Sequence, residues 1–180
     1  MTRMDFTIAG LGGQGSILAG VILGTAAVEH DGKHAVQTQA YSSELRGGFA
    51  ASWIIISDQP VDFPRVTRPD VLIAQARDAV QRFAGTLGPG GLLIMDSDMI
   101  SEAPSGIGEV IEVPATSMSR VDLKAPMVAN MVMLGAMWRA TEIVRRQALE
   151  AAICQLVPKA RACLNLKAFD CGVRAVPDRI

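Results

Sequence analysis

The chain has 180 residues, of which 49% are hydrophobic and 19% are charged, and its formal net charge is −1. This length and composition predict one globular domain with a substantial core. Because the charges balance and no dense run of Lys and Arg occurs, nucleic acid and anionic membranes are poor candidates for the main partner.

The two most apolar segments, 17–28 and 127–138, are shorter than the roughly 20 residues that a bilayer-spanning helix needs, and we expect buried helices there. The first five residues lack a signal-peptide pattern, which favours a cytoplasmic protein. Cys154, Cys163 and Cys171 have no C-x-x-C spacing that could hold zinc or an iron–sulfur cluster. We therefore expect free thiols.

Hydrophobic periodicity predicts alternating strands and helices along the whole chain. Strands are expected at 6–9, 35–41, 49–57, 71–74, 92–95 and 109–113, and helices at 16–28, 77–87, 115–123, 127–138, 147–157 and 160–172. Only residues 42–48 separate the second and third strands. This connection is shorter than a parallel crossover requires, so the two strands are predicted to be antiparallel.

These elements predict an α/β protein in which residues 1–180 form a single three-layer, Rossmann-like domain. We expect a mixed, mostly parallel sheet with a helical C-terminal third, and the strand at 109–113 near an edge. An open sheet and one that curls toward a barrel are both compatible with the pattern. No repeat, low-complexity tract or linker divides the chain.

A glycine-rich loop follows the first strand and leads into the first helix. Its candidate binding residues are Gly10, Gly12, Gly13, Gln14 and Gly15. Such a loop turns tightly and exposes N–H groups at a helix N-terminus, where anions are favoured. The spacing also fits the dinucleotide fingerprint, but the expected acidic residue is absent from the next strand, which ends at Tyr41. A dinucleotide site, a structural turn, a site for another anion and a protein contact stay open.

The turn between the second and third strands is a second candidate site. It contains Glu44, Arg46 and Gly47, and a guanidinium beside flexible backbone donors suits an anion. The simpler interpretation is a solvated hairpin tip with a Glu44–Arg46 ion pair. If both loops lie at the carboxyl edge of the sheet, Arg46 and the N–H groups of residues 12–15 converge on one crevice.

Three further polar residues have competing interpretations. Asp96 and Asp98 follow a buried strand and could belong to a site, although turn formation or helix capping is the simpler role. Asn130 is the polar residue of the buried helix at 127–138 and could brace a loop or bind a ligand.

The sequence shows no catalytic set. His30 and His34 would form a metal pair only on one continuous helix, and Gly32 interrupts it. No Ser/His/Asp or Cys/His arrangement, cysteine cluster or Gly-Asp-Gly thiamine diphosphate motif occurs. Enzymatic chemistry would therefore have to lie on another polypeptide.

Seven motifs, in order over nearly the whole chain, resemble the gamma subunit of 2-oxoacid:ferredoxin oxidoreductases. They are residues 8–15, 36–41, 44–48, 55–58, 69–72, 130–136 and 165–172. The segment 37–39 is most similar to the branch that acts on 2-oxoglutarate, while pyruvate, branched-chain and aromatic 2-oxoacid relatives stay open. The chain departs from the family at Ser42 and Ser43, where the resemblance predicts Gly-Pro.

The resemblance implies a multi-subunit enzyme that oxidatively decarboxylates a 2-oxoacid to an acyl-CoA and passes two electrons through iron–sulfur clusters to ferredoxin. Thiamine diphosphate and the clusters are expected on partner chains, namely alpha, beta and, where present, a ferredoxin-like delta subunit. This chain would serve assembly, coenzyme A handling or both, and a coenzyme A phosphate is the candidate ligand of Arg46 and the glycine loop. The rivals are a free-standing nucleotide-binding protein and a purely structural assembly subunit.

Overall fold

The computed structural model describes residues 2–42 and 48–177. In these ranges the strands are β1 (Arg3–Leu11), β2 (His34–Tyr41), β3 (Phe49–Ser57), β4 (Val71–Ala74), β5 (Leu92–Asp96) and β6 (Glu109–Val113). The α-helices are α1 (Ser16–Thr25), α2 (Arg77–Phe83), α3 (Ala115–Ser117), α4 (Ala129–Thr141), α5 (Arg146–Leu156) and α6 (Ala162–Ala175). Short π-helical turns follow α1 and α3, and 3-10 turns lie at Ala84–Thr86, Pro126–Val128 and Lys159–Arg161.

The strands form one mixed sheet in the order β2-β3-β1-β4-β5-β6. Strand β3 runs antiparallel to both β2 and β1, as the short connection between β2 and β3 predicts. Strands β1, β4, β5 and β6 are parallel to one another. The predicted mixed, mostly parallel sheet is therefore confirmed. Because β2 and β6 end the order without pairing to each other, the sheet is open and the barrel alternative is wrong.

Helices cover both faces of this sheet. On one face, Phe6 and Ile8 belong to a large apolar cluster with residues of α1, α4, α5 and α6. On the other face, Ala9 and Leu72 pack with residues of α2. Successive residues of a strand point to opposite faces, which is why Ile8 and Ala9 lie in different clusters. The predicted three-layer arrangement is confirmed.

The helices after β1 and β4 leave the sheet toward opposite faces, since α1 and α2 belong to different clusters. In open α/β sheets, such a divergence between neighbouring parallel strands opens a crevice at their carboxyl ends. The glycine loop follows β1, and the segment after β4 begins at Gln75. These two segments therefore meet at the crevice.

The predicted element boundaries differ from the observed ones mainly at helix ends. The first helix continues beyond Val28 as the π-helical turn Ala26–His30 and ends before Gly32, whose φ is 67°. The short helical segment expected at 115–123 is α3 followed by the π-helical turn Met118–Asp122. No helix in the described ranges has both the length and the apolarity needed to cross a membrane.

Helices α4 and α6 pack closely because each presents a buried glycine to the backbone of the other. A Cβ atom at Gly135 would lie 2.9 Å from the carbonyl carbon of Phe169, and one at Gly172 would lie 2.7 Å from the carbonyl carbon of Val132. A backbone neighbour cannot rotate away as a flexible side chain can, so an added methyl group would have to push the helices apart.

We expect Gly172→Ala to lower the free energy of unfolding by about 1–3 kcal/mol, because overpacking forces backbone shifts. Gly24→Ala is the matched control, since Gly24 is also helical but has no atom within 4 Å of the added Cβ position. The control should leave stability unchanged or raise it by up to about 1 kcal/mol. Urea unfolding followed by circular dichroism measures both, and equal stability of the two variants would contradict the close packing of α4 and α6.

Candidate functional site

The glycine loop between β1 and α1 uses two of its N–H groups internally. The N–H of Gly12 donates to the carbonyl oxygen of Gly48 at 2.6 Å, and that of Gln14 donates to the carbonyl oxygen of Leu11 at 3.1 Å. The predicted row of free donors across residues 12–15 is therefore incomplete, because these two N–H groups already have acceptors in the chain.

Gly13 and Gly15 provide the two remaining donors of the loop. Their φ angles of 93° and 78° lie in the left-handed region, which glycine adopts without strain. Within the part of the chain that the structure describes, neither N–H has an acceptor. Gly15 directly precedes α1, so both donors lie close to a helix N-terminus, where the helix dipole favours an anion.

Two glutamine side chains hold the glycine loop onto the end of β4. The Nε2 of Gln14 donates to the main-chain carbonyl of Gln75 at 3.0 Å, and the Nε2 of Gln75 donates to the main-chain carbonyl of Gln14 at 3.1 Å. The Oε1 of Gln14 accepts from the N–H of Leu11 at 2.6 Å, and the Oε1 of Gln75 accepts from the hydroxyl of Ser16 at 2.7 Å. We call this arrangement of Gln14 and Gln75 the glutamine clasp.

The sequence reasoning missed Gln75, which is 3% exposed. The one available signal was its position directly after the buried strand β4, where sites tend to form in parallel sheets. A polar side chain at such a position is common, so only the structure reveals its reciprocal pairing with Gln14.

Two glycines of the loop allow other groups to approach it closely. A Cβ atom at Gly10 would lie 2.5 Å from the Oε1 of Gln14 and 3.0 Å from the Cβ of Gln75. A Cβ atom at Gly15 would lie 2.8 Å from the Cγ of Asn130. Asn130 donates from Nδ2 to the carbonyl oxygen of Gly15 at 3.4 Å, which confirms that this buried amide braces the loop.

A polar cavity of about 130 Å³ lies at the carboxyl edge of the sheet, next to the glutamine clasp. It is lined by segments that follow β1, β4, β5 and β6 and by the start of α4, namely Gly13, Gln14, Gln75, Asp96, Thr116, Pro126, Met127 and Ala129. Of the two glycines whose N–H groups are available, Gly13 lines this crevice and Gly15 does not.

Asp96 is the charged residue on the floor of this cavity and is 2% exposed. Its Oδ2 accepts from the hydroxyl of Thr116 at 2.6 Å, and its Oδ1 accepts from the N–H groups of Asp98 and Thr116 at 3.2 and 3.4 Å. Burial raises the pKa of the Asp96 carboxyl above its usual range, although the hydrogen bonds from Thr116 and Asp98 act in the opposite direction. These bonds hold the turn after β5 against the start of α3.

The other predicted residues separate into three groups. Asp98 accepts from the N–H and hydroxyl of Ser117, which supports the simpler turn and helix-capping role. The two histidines do not form a metal pair, since His30 contacts Gln155 and His34 is the first residue of β2. In residues 2–42 and 48–177, no group of three or more His, Cys, Asp or Glu side chains could hold a metal ion. The last group, Glu44, Arg46 and Gly47, lies outside the described residues.

A larger cavity of about 710 Å³ lies at the opposite edge, near the amino ends of β4, β5 and β6. Its lining consists mainly of turn residues, namely Thr67, Arg68, Ala84 to Gly91 and Pro104 to Gly108. Ligands in open α/β sheets bind outside the carboxyl ends of the strands. The smaller cavity beside the glycine loop is therefore the better candidate.

Comparison with known proteins identifies the family. The family model described as pyruvate ferredoxin/flavodoxin oxidoreductase matches residues 5–175. The chain belongs to this oxidoreductase family. The 2-oxoglutarate synthase subunit KorC of Methanocaldococcus jannaschii is 43% identical over 172 residues, which cover 94% of this chain and 92% of the relative.

Solved structures of the family share the fold. The gamma subunit of a keto/oxoacid ferredoxin oxidoreductase from Geobacter sulfurreducens PCA has a TM-score of 0.85 and 38% identity, covering 96% of this chain and 97% of its own. A 2-oxoglutarate:ferredoxin oxidoreductase from Magnetococcus marinus, with 2-oxoglutarate, coenzyme A and succinyl-CoA bound, has a TM-score of 0.83 at 22% identity. It covers all of this chain, which spans 33% of that longer chain.

The chain is thus a gamma subunit of the 2-oxoacid:ferredoxin oxidoreductases, as its seven motifs predict. Less similar family members carry the names of ketoisovalerate and phenylglyoxylate enzymes. Members of this family thus act on different 2-oxoacids.

The raised pKa of Asp96 makes folding stability depend on pH. The Asp96 carboxyl binds its proton more tightly in the folded chain than in the unfolded chain. The protonated carboxyl therefore contributes fully to the free energy of unfolding below the unfolded pKa of about 3.9, and this contribution is lost as pH rises through the folded pKa. We expect Asp96→Asn to become more stable relative to the natural chain as pH rises from about 4 through the folded pKa, by about 1.4 kcal/mol for each unit of pKa shift. Urea unfolding across this range measures the difference.

The control for this experiment is Asp62→Asn, which changes an exposed aspartate. It reports the effect of replacing an aspartate by asparagine at a position outside the crevice. A stability difference between Asp96→Asn and the natural chain that does not change with pH would contradict a raised pKa at the crevice.

Proposed function

We propose that this gamma subunit belongs to a complex that oxidatively decarboxylates 2-oxoglutarate, transfers the acyl group to coenzyme A and passes two electrons to ferredoxin. The identity of 43% over 94% of the chain to KorC supports this substrate. A ketoisovalerate relative is 38% identical over 72% of the chain, and a phenylglyoxylate relative is 30% identical over 80%. Branched-chain and aromatic 2-oxoacids are therefore second candidates, together with pyruvate.

Within such a complex, the role proposed for this chain is to hold a phosphate of coenzyme A. The observation that supports it is the pair of N–H donors at Gly13 and Gly15, which have no acceptor in the described ranges and lie near the N-terminus of α1. Phosphate oxygens are the acceptors that such a helix terminus favours. The structure of the Magnetococcus marinus relative was determined with coenzyme A bound.

Arg46 is proposed as the second anion-binding group. It lies outside the described residues, but the turn that contains it is tied to the glycine loop by the hydrogen bond from the N–H of Gly12 to the carbonyl of Gly48. A guanidinium near this point would add a planar pair of donors to the two loop N–H groups. Glu44 and Gly47, which flank Arg46 in the sequence, stay predicted residues of the same site.

Thiamine diphosphate and the iron–sulfur clusters are proposed to lie on partner chains. Such a cluster needs several converging thiolates. Cys154, Cys163 and Cys171 are free, and two of them are exposed on the surface of the C-terminal helices. The described residues therefore do not fit a cluster. Alpha, beta and ferredoxin-like delta subunits are the proposed partners, with ferredoxin as the electron acceptor.

The surface around the crevice is proposed to face these partners. Five of the seven large apolar side chains that are exposed in the described ranges lie at or near the carboxyl edge, namely Leu18, Tyr41, Met99, Val121 and Met127. Permanent interfaces are the most apolar ones, so apolar side chains exposed along this edge suit such an interface. A partner on this edge would also exclude water from a ligand in the crevice, which strengthens charge-assisted contacts.

Two rival classes have less support. A free-standing dinucleotide-binding protein needs open space at the second glycine of its loop, where the backbone approaches the pyrophosphate. Here a Cβ atom at that glycine, Gly12, would lie 3.3 Å from the carbonyl oxygen of Gly48. In addition, β3 separates β2 from β1, and β2 ends at Tyr41 rather than at a carboxylate. A purely structural subunit would not require a polar cavity lined by Gly13, whose N–H has no acceptor in the described ranges.

We expect Arg46→Ala to raise the KM for coenzyme A about ten- to a hundredfold in the reconstituted complex, because a charge-assisted hydrogen bond contributes about 1.5–3 kcal/mol. The KM for the 2-oxoacid should change little. Arg46→Lys should recover only part of the loss, because a point charge cannot reproduce the planar fork. Steady-state kinetics of ferredoxin or dye reduction measure all three variants.

Arg174→Ala is the control for charge loss, because Arg174 is exposed in the last turn of α6. It should leave both KM values unchanged. An intact Arg46→Ala complex with an unaltered KM for coenzyme A would remove Arg46 from the ligand site. Loss of assembly would instead place Arg46 at the interface between subunits.

We expect Val121→Asp to weaken assembly with the partner subunits, since a charge in an apolar interface is costly to desolvate. Val121 is 67% exposed near the crevice, and the control residue Phe63 is 60% exposed in the connection between β3 and β4. Phe63→Asp should assemble normally. Light scattering of reconstituted mixtures compares the two, and normal assembly of Val121→Asp would exclude the carboxyl edge as the interface.

A further inference from the structure

We propose that the β2 edge of the sheet binds a second copy of this chain, so that two sheets join across a two-fold axis at Thr38. The proposal goes beyond the proposed function, because it concerns the contact between two gamma subunits and involves neither the crevice nor coenzyme A. It is supported by the hydrogen-bonding pattern of β2, by the absence of charge on this strand and by an apolar groove beside it.

Strand β2 presents backbone donors and acceptors along the free edge of the sheet. Directly after the last pair of the β2–β3 ladder, the N–H of Ser42 donates to the carbonyl oxygen of Phe49 at 2.9 Å. Hydrogen-bonded pairs alternate along an antiparallel ladder, so the even-numbered residues of β2 bond to β3. The N–H and C=O groups of the odd-numbered residues point away from β3, where no other strand in the described ranges pairs with β2. These residues are Ala35, Gln37, Gln39 and Tyr41.

The outward groups define one symmetric register for a second β2 strand. Antiparallel pairing about a two-fold axis at Thr38 places Ala35 opposite Tyr41 of the second copy. The same register places Gln37 opposite Gln39, so every outward N–H and C=O meets a partner. An axis at Gln37 or Gln39 would leave one of the four residues without a counterpart. Thr38 then lies opposite itself in a non-hydrogen-bonded pair, whose side chains approach each other most closely.

The two edge strands of the sheet differ in charge. His34–Tyr41 contains no Asp, Glu, Lys, Arg or Pro, so no like charges meet when this strand pairs with itself. Natural sheet edges are usually protected from pairing by charged side chains, by proline or by a covering segment. The other edge strand, β6, has this protection, because it carries Glu109 and Glu112 and lies beside residues 175–177. The β2 edge is therefore the one suited to pairing with a second copy.

An apolar groove runs along the β2 edge on the face that carries α1. One wall is formed by Val21, Thr25 and Val28, and Ala35 and Gln37 of β2 also line this groove of about 250 Å³. Val28 is 49% exposed and belongs to this groove rather than to the carboxyl edge. Antiparallel neighbours are related by an axis perpendicular to the sheet, so the first helices of both copies lie on the same face. Pairing of the strands therefore brings two such grooves together and buries Val28.

The test measures the mass of the full chain by analytical ultracentrifugation. We expect the natural chain to form a dimer of twice 19.1 kDa. Thr38→Lys and Thr38→Glu should each raise the dimer Kd about ten- to a hundredfold, because two like charges then lie directly opposite each other. An equimolar mixture of these two variants should form dimers again, since opposite charges then meet at the axis. A variant that failed to fold would not recover on mixing.

Thr67→Lys is the matched control, because Thr67 is an exposed threonine in the connection between β3 and β4. This variant should remain dimeric. Cross-linking provides a second measurement, since the Cα atoms of a non-hydrogen-bonded pair lie about 4.5 Å apart, within the range of a disulfide. On a non-reducing gel, Thr38→Cys should give a covalent dimer both as the isolated chain and in the reconstituted complex. Thr67→Cys, which has the same natural cysteines, should not.

A monomeric natural chain, together with no cross-link of Thr38→Cys in the complex, would overturn the proposal. A dimer that both charged variants leave intact would also overturn it, because the copies would then meet elsewhere. If the natural chain is monomeric and Thr38→Lys blocks binding of the partner subunits, another subunit covers the β2 edge and the second copy is wrong. Loss of the dimer in both charged variants and its recovery on mixing support the proposal, as does the specific cross-link. The KM for coenzyme A tests the proposed function separately.

Discussion

The parallel pairing of β1 with β4 is the constraint on which the rest of the site depends. This pairing places Ala9 opposite Ala74. The hydrogen bond from the N–H of Gln75 to the carbonyl oxygen of Ala9 extends the pairing by one residue. Because α1 and α2 leave these strands toward opposite faces, the pairing also defines where the crevice opens. The glycine loop, the clasp and the cavity all lie at the point where this single pair of strands ends.

Most of the fold follows from local sequence patterns. The strands at 49–57 and 109–113 were predicted to the residue because their apolar or alternating runs are bounded by turn residues. The antiparallel order of β2 and β3 follows from the length of one connection. Helix ends were less predictable, since the π-helical turn Ala26–His30 depends on packing against α5 rather than on periodicity.

The site was only partly predictable, for physical reasons that particular residues illustrate. Gly10 and Gly15 are recognisable because a strand, a glycine loop and a helix have a known geometry. Which N–H groups stay free depends on Gly48, and the shape of the loop depends on Gln75, 61 positions from Gln14. Contacts between such distant residues arise from the order of the strands, which no local pattern encodes.

The hydrogen bond from Gly12 to Gly48 makes the turn after β2 and the glycine loop one mechanical unit. The N–H of Ser42 donates to the carbonyl oxygen of Phe49 at 2.9 Å, which joins the two strands where the turn begins and ends. A neighbouring molecule that displaced Gly48 would therefore also displace the acceptor of the Gly12 N–H beside the crevice. If a partner contacts this turn, its binding and ligand affinity at the crevice would be thermodynamically coupled.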